Sequence, residues 1–96
     1  MVYYKKTEYK LLGYEKSKRK NKMYNAILQN RKTGQLVRVP FGSTEYENYQ
    51  DKTGLNLYPH LIHGDKKRKK LYIARHKKDL KAGYYSPGYF SLTQLW

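Results

Sequence analysis

The fold is decided by residues 23–41, which read Met-Tyr-Asn-Ala-Ile-Leu-Gln-Asn-Arg-Lys-Thr-Gly-Gln-Leu-Val-Arg-Val-Pro-Phe. Side chains alternate along both halves of this stretch, and this is the period of a β-strand with one buried face. The residues expected on that face are Tyr24, Ala26 and Leu28, then Val37, Val39 and Phe41. The loop between the halves, residues 31–34, ends in glycine, as short hairpin loops prefer. The stretch therefore predicts a β-hairpin.

A further strand precedes the hairpin, at residues 8–16. Residues 17–22, Ser-Lys-Arg-Lys-Asn-Lys, contain no apolar side chain and are expected to form a turn or loop. Three consecutive strands with short loops make an antiparallel meander with one buried face. After the meander, Ser43 or Thr44 followed by Glu47 resembles a capping box. We therefore expect one or two helical turns at residues 45–50.

The clearest helix signal lies between Asp65, a helix-capping residue type, and Gly83, a helix-stopping one. The helix is expected to run from Lys66 to about Lys81. At 100° per residue one arc faces the core and a separate arc of lysines faces solvent or a partner. The core arc comprises Tyr72, Ile73, His76 and Leu80.

A short C-terminal helix is predicted after Ser86, which would cap it, with Pro87 at its first position. Trp96 either packs back on the sheet or anchors a partner, and packing on its own chain is the default for so small a core. The predicted fold class is α+β: a three-stranded antiparallel meander packed against one long helix and a short C-terminal helix. Residues 1–96 are expected to form a single small basic domain.

The charge of the chain is its most informative bulk property. Its 96 residues carry 21 Lys or Arg against seven Asp or Glu, a formal net charge of +14, together with 12 tyrosines. Such an excess repels itself in the compact state and calls for a polyanionic partner. Nucleic acid fits best, because neutralising each phosphate releases condensed counterions. The chain has no cysteine, which fits a reducing compartment.

Two basic clusters supply the candidate phosphate contacts, one in the first loop and one on the long helix. The residues are Lys18, Arg19, Lys20, Lys66, Lys67, Lys70, Lys77 and Lys78. The alternative is a solvated charged face, although such faces normally mix both signs. Tyr14 and Tyr24, close to the basic loop, are the candidates for base stacking; the other tyrosines are more simply core residues.

Catalytic and metal chemistry have little support in the sequence. His60 and His63 have a workable spacing for metal, but His76 lies on the apolar arc and is better explained as a packed residue. No clustered carboxylates and no phosphate-cradling glycine loop are present. We therefore expect no catalytic residue, no metal site and no cofactor, and a small nuclease is kept only as a remote alternative.

The C-terminal third carries a specific pattern. His63-x-Asp65-x-x-Arg68-x-x-x-Tyr72-x-x-Arg75-His76, then Ser86-Pro87-Gly88-Tyr89-Phe90-Ser91 and Leu95-Trp96, resembles a family of small, basic, uncharacterised proteins of large eukaryotic DNA viruses and some tailed phages. The segments 9–14 and 24–28 also fit, so the resemblance covers nearly the whole chain. It implies a viral setting, on packaged genome or bracing a capsid. It also implies a structural lock between helix and C-terminus made of Asp65, Arg68, Tyr72, Arg75 and Trp96.

The expected function is that of a non-enzymatic viral protein that binds nucleic acid through phosphate with little sequence specificity. The alternative is a structural virion component, a minor capsid or cementing protein. The expected partner is nucleic acid, DNA in preference to RNA, with capsid proteins as a further candidate. No run approaches the ~18 apolar residues of a membrane span, so no membrane association is expected, and the expected location is the virion or the reducing interior of an infected cell.

Overall fold

The computed structural model describes residues 3–80 and 83–96, apart from the side chain of Asp79. It has the α+β class expected from the sequence. The strands are β1 (Tyr4–Lys5), β2 (Tyr9–Lys16), β3 (Lys22–Asn30), β4 (Leu36–Ser43) and β5 (Tyr84–Tyr85). The α-helices are α1 (Lys66–His76) and α2 (Pro87–Phe90), and α2 continues into a π-helical turn at Ser91–Leu95. Short 3₁₀ turns occupy Pro59–Leu61 and Lys77–Asp79.

The predicted meander is confirmed, with β3 at its centre and β2 and β4 antiparallel on either side. Tyr24, Ala26 and Leu28 of β3 are fully buried, and their partners across β4 are Phe41, Val39 and Val37. Directly paired residues share one face of a sheet. The predicted apolar face is therefore the face that forms the core.

A β-bulge in β2 brings two further side chains onto this face. Leu11 pairs with Leu28 and Tyr14 pairs with Ala26, while the register shifts between Leu11 and Gly13. Strict alternation would point Leu11 and Tyr14 to opposite faces, since they are an odd number of residues apart. The extra residue in the bulge corrects the alternation, and both side chains pack against the core.

A small second sheet, formed by β1 and β5, has no counterpart in the sequence-based expectation. Tyr4 pairs with Tyr85 and Lys5 with Tyr84, and the Lys6 N–H donates to the Gly83 carbonyl (2.8 Å). Strands of two residues are too short to show a period, so only the tertiary structure reveals them. The pairing ties the N-terminal segment to the segment that precedes α2.

The long helix is shorter than predicted. Asp65 caps it as expected, accepting from the N–H groups of Lys67 (2.9 Å) and Arg68 (3.3 Å). It ends at His76, passes into the 3₁₀ turn and gives way to extended backbone at Leu80. The predicted endpoint, Lys81, lies outside the described residues. Since α1 has no buried residue, packing contributes little to extending it, and short helices are marginal without packing.

The helical turns predicted at residues 45–50 are absent, and this prediction was wrong. The backbone of this segment pairs with distant parts of the chain instead. Asn48 forms a parallel bridge with Ile62, and the N–H groups of Tyr49 and Gln50 both donate to the Leu95 carbonyl (3.0 Å each). These long-range hydrogen bonds satisfy the groups that a local helix would have used.

The C-terminal segment closes the core, and Ser86 caps it as predicted by accepting from the Tyr89 N–H (3.1 Å). Phe90 and Leu95 are fully buried, and Trp96 is only 8% exposed. The Gln50 amide donates to the Trp96 carbonyl (3.1 Å). Trp96 therefore packs on its own chain, which was the default of the two alternatives.

Candidate nucleic-acid interface

The structure brings the two predicted basic clusters to the same end of the meander. The loop between β2 and β3 carries Lys18, Arg19 and Lys20 and leads directly into Lys22. Lys22 pairs with Ser43 at the end of β4, and both residues line a cleft whose other wall is α1. The cleft has a volume of about 590 Å³. Lys22 thus connects the basic loop to the cleft, while Lys18 and Arg19 line a separate depression together with Glu15, Asn25 and Arg38.

The basic loop has a defined conformation. Ser17 is buried, and its hydroxyl accepts from the Arg19 N–H (3.1 Å). The Lys22 N–H donates to the Arg19 carbonyl (3.2 Å), and Asn21 adopts a positive φ of 66°, a conformation that asparagine tolerates better than most residues. Lys18, Arg19 and Lys20 are exposed at its tip. The loop therefore presents three cations from a backbone held by its own hydrogen bonds.

The helix presents its lysines on the side away from the protein. Tyr72, Ile73 and His76 are partly buried, as the predicted core arc requires, although none is fully enclosed. The lysines turned away from them are exposed: Lys66, Lys67, Lys70, Lys77 and Lys78. All eight predicted phosphate contacts are therefore accessible to a ligand.

The charge of α1 opposes its own stability. Residues 66–70 are five consecutive cations, and the first turn contains no acidic side chain. The amino end of a helix carries partial positive charge, so a cation there costs about 0.3–1 kcal/mol. Lys66 and Lys70 also repel each other at i, i+4. An anion bound along this face would remove these penalties.

Acidic side chains do not offset the exposed lysines. With the side chain of Asp79 left aside, the ion pairs within residues 3–80 and 83–96 are Arg38–Glu15 (2.8 Å) and Arg68–Glu47 (3.1 Å), and neither includes a lysine. Asp51 accepts hydrogen bonds from Tyr24 and Thr53, and Asp65 is occupied as a helix cap. These four carboxylates have partners within the fold, which leaves the loop and helix lysines without an acidic partner in the part of the chain that the structure describes.

Glu15 illustrates how such a carboxylate is held. The Asn25 side-chain amide donates to Glu15 Oε2 (2.9 Å), as does Arg38 Nε (2.8 Å). The hydrogen bond from Asn25, with the hydrogen bond and charge of Arg38 and the more distant charge of Lys18, holds the pKa of Glu15 below its usual value. Glu15 is therefore ionised at neutral pH, and its contacts are with Asn25 and Arg38 of the neighbouring strands.

The floor of the cleft is an aromatic stack that joins α1 to the C-terminal segment. The Tyr72 and Trp96 rings are parallel, with centroids 4.0 Å apart and an interplanar angle of 3°. His76 lies against the Tyr72 ring with centroids 4.2 Å apart, and since Trp96 occupies one face of that ring, His76 covers the other. His63 contacts Trp96 (5.2 Å between centroids), and its Nδ1 accepts from the Asp65 N–H (2.8 Å).

Two further contacts attach α1 to the segment that follows the meander. Arg68 pairs with Glu47, and the Lys69 ammonium lies 4.6 Å from the centroid of the Tyr49 ring. The Arg68–Glu47 pair is half-exposed and is worth at most about 1 kcal/mol. Arg75 lines the cleft beside Tyr72 and Trp96. Of the five residues of the predicted lock, Tyr72 and Trp96 make the direct helix-to-terminus contact, and Asp65 reaches Trp96 through His63.

Base stacking on Tyr24 is ruled out by the structure, so this prediction was wrong. The ring is fully buried and lies against Phe41 and Tyr58. Its hydroxyl donates to Asp51 Oδ2 (2.5 Å) and accepts from the Leu57 N–H (3.1 Å). Burial is the main cause that raises the pKa of Tyr24 to about 12. Alternation placed Tyr24 on the core face, so the same pattern that predicted the strand also argued against stacking.

Tyr14 is half-buried and packs edge-on against Phe41 and Phe90, with centroids 5.8 and 6.0 Å apart. Burial, reinforced by the neighbouring Tyr89 and Tyr85, raises the pKa of its hydroxyl to about 12. Its stacking on a base stays a prediction, but these contacts make Tyr14 a core-edge residue. The exposed aromatic ring at the cleft is Tyr46, 69% exposed, which the sequence-based reasoning did not select.

A third basic group, also missed from the sequence, surrounds the hairpin between β3 and β4. Lys10, Arg31 and Lys32 line a depression of about 470 Å³ there. Because β3 has nine residues, its two ends are about 26 Å apart at ~3.3 Å per residue. This group is therefore well separated from the cleft.

The three histidines lie in separate surroundings and are not grouped with other potential metal ligands in the described residues. Among the described residues no three His, Cys, Asp or Glu side chains lie close enough together to hold a metal ion. His60 lies in the 3₁₀ turn at Pro59–Leu61, whereas His63 contacts Trp96 and His76 contacts Tyr72. None of the helices in the described ranges is long and apolar enough to cross a membrane.

Comparisons with family models, with curated proteins and with solved structures gave no significant match.

Proposed function

We propose that this chain is a non-enzymatic protein that binds nucleic acid through phosphate contacts with little sequence specificity. The observation that carries the proposal is the exposure of the loop and helix cations at one end of the meander, where none of them has an ion-pair partner in the described part of the chain. Lys18, Arg19 and Lys20 approach the ligand from the loop between β2 and β3. Lys66, Lys67, Lys70, Lys77 and Lys78 approach it from α1.

The chemistry of these side chains favours phosphate over base edges. Seven of the eight proposed contacts are lysines, compact point charges that bind phosphate without demanding one geometry. Sequence readout in a groove relies on bidentate Arg, Asn or Gln; of these types α1 carries only Arg68, which pairs with Glu47, and Arg75. The expected ligand is therefore a nucleic-acid backbone, DNA in preference to RNA.

The test is a salt series with a labelled duplex, comparing the native chain with two triple variants of equal charge. One replaces Lys66, Lys70 and Lys77 on α1 with glutamine, and the other replaces Lys10, Lys32 and Lys52 elsewhere. A log–log plot of affinity against salt loses about 0.9 of slope for each phosphate contact removed. We expect the helix variant to lose about 2.7 and the control to keep the native slope. Equal slopes for both variants would refute the assignment of this interface.

The viral setting is part of the proposal, and it rests on the resemblance of the C-terminal pattern. In such a setting the protein would sit on packaged genome inside a virion or in the infected cell. Quantitative mass spectrometry of purified particles of the encoding virus should detect it at many copies per genome. Its absence from particles would restrict the role to the infected cell.

A structural virion component is the second candidate, and exposed apolar side chains favour it. Leu12 is 48% exposed and Leu36 is 44% exposed, and they lie on the two outer strands of the meander. A capsid protein could cover both. If so, replacing Leu12 and Leu36 with serine should lower incorporation into particles while leaving binding to duplex DNA intact. Unchanged incorporation would argue against this role.

A further inference from the structure

The cleft between α1 and the end of the meander has the shape and chemistry of a site for a small charged ligand. Its volume of about 590 Å³ lies within the range of small-ligand pockets, ~300–1,000 Å³. The cleft is too small to enclose a double helix, since one groove of B-DNA alone is about 12 Å wide. A single unpaired nucleotide fits this scale.

We infer that the cleft holds one unstacked nucleotide of a single strand, with its phosphate between Lys22 and Arg75 and its base against Tyr46 and Leu71. This inference rests on the proposed nucleic-acid binding and adds to it a preference for single-stranded segments.

The charges of the cleft suit a phosphate. Its permanent cations are Lys22, Arg68 and Arg75, and its one carboxylate is Glu47. Glu47 is paired with Arg68 at 3.1 Å, which neutralises both. Lys22 and Arg75 come from opposite walls of the cleft, and neither forms an ion pair with any side chain in the described residues. An entering anion therefore meets two cations that have no acidic partner in the described part of the chain.

The apolar surfaces of the cleft suit a base. Tyr46 is 69% exposed and Leu71 is 56% exposed, the two most exposed large hydrophobic side chains in the part of the chain that the structure describes. Both faces of the Tyr72 ring are already covered, by Trp96 and His76, so the base cannot stack there. Tyr46 is left as the aromatic side chain on which a base can stack, and such stacking does not depend on which base is bound.

The experiment uses the only tryptophan of the chain as its reporter, because Trp96 lines the cleft. The probes are thymidine monophosphate, thymidine, inorganic phosphate, a labelled oligo(dT) strand and a duplex of the same length. We expect the monophosphate to change Trp96 emission more strongly than thymidine or phosphate alone. We expect the single strand to bind more tightly than the duplex.

Variants at the platform separate stacking from charge. Tyr46→Ala should weaken oligo(dT) binding about tenfold, the effect of removing one stacked base, and should leave duplex binding unchanged. Tyr46→Phe keeps the ring and should bind like the native chain. Arg75→Gln should weaken binding of the monophosphate, whereas Lys32→Gln, outside the cleft, should not.

The outcomes distinguish this inference from the proposed function. Equal affinity for strand and duplex, with no effect of Tyr46→Ala, would overturn the nucleotide site and leave phosphate binding intact. Absence of salt-dependent binding to any nucleic acid would overturn both. Poly-glutamate that changes Trp96 emission as strongly as oligo(dT) would overturn the nucleotide site alone, because the cleft would then accept any anionic chain.

Discussion

The close approach of the C-terminal segment to β4 gives a sharp test of how the cleft is built. Gly42 has φ +75°, and a Cβ there would lie 2.8 Å from Leu95 Cδ1 and 3.2 Å from Met23 Sδ. Leu95 and Met23 are both fully buried, so neither can move aside without disturbing other core side chains. Gly42→Ala should therefore force the segment that carries Trp96 away from the sheet.

The magnitude follows from two separate costs. A left-handed conformation costs alanine about 1–2 kcal/mol, partly offset by about 0.4–1 kcal/mol from a less flexible unfolded chain. Overpacking a buried site adds about 1–3 kcal/mol. We expect Gly42→Ala to lower the free energy of unfolding by about 2–4 kcal/mol. Gly34 is the matched control, since it has the same φ of +75° and a Cβ there would meet only Gln29 Nε2 at 3.8 Å.

The assay is urea unfolding followed by far-ultraviolet circular dichroism and by Trp96 fluorescence. Gly34→Ala should lose about 1 kcal/mol, the backbone cost alone. If the two variants lose the same free energy, the C-terminal segment yields to the new methyl group, and the reasoning that it closes the core is refuted.

Other predictions test the polar and aromatic contacts around the core and the cleft. Burial raises the pKa of Tyr24 to about 12 from its ordinary value of 10.0. The contribution of the neutral Tyr24 hydroxyl to stability is therefore present below pH 10 and lost as pH rises towards 12. In urea titrations at different pH, Tyr24→Phe should reduce this alkaline loss and should cost about 1–2 kcal/mol at neutral pH. The hydrogen bond from Asn25, with the contact of Arg38, lowers the pKa of Glu15, so its contribution to stability is present above the ordinary pKa of glutamate and lost as pH falls through the folded value. Glu15→Gln should flatten the acid limb of the same titration, and an unchanged limb would contradict the role of the Asn25 and Arg38 contacts. Tyr72→Ala should uncover Trp96, shifting its emission to longer wavelength and reducing the helical signal, whereas Tyr72→Phe should retain the native emission.

Local sequence patterns predicted where the strands and helices begin but did not predict where α1 ends. Alternation located all three strands of the meander, because a half-buried strand must repeat every two residues. Asp65 and Ser86 marked helix starts correctly, because their side chains satisfy free N–H groups within the same turn. The end of α1 was misplaced, since no local feature of residues 77–81 reveals whether the helix has a surface to pack against.

Part of the candidate site could be predicted from the sequence, and part required the tertiary structure. The cations could be selected from the sequence, because runs of lysine without acidic neighbours must be exposed. The cleft could not, because its walls come from β3, β4, α1 and the residues between them, which are far apart along the chain. No sequence pattern set Tyr46 apart from the other tyrosines. It became a candidate for base stacking only when the structure showed its ring exposed in the cleft that Arg75 also lines.

The sequence by itself determined the α+β class, the face of the meander that forms the core, the helix caps and the strongly basic character of the chain. These properties follow from periodicity, capping and net charge, which act over a few residues or over the whole composition. The tertiary structure decided that Tyr24 is buried, that Trp96 stacks on Tyr72, and that Lys22 and Arg75 line one cleft. These depend on contacts between distant residues, whose pairing is set by how all the elements pack together.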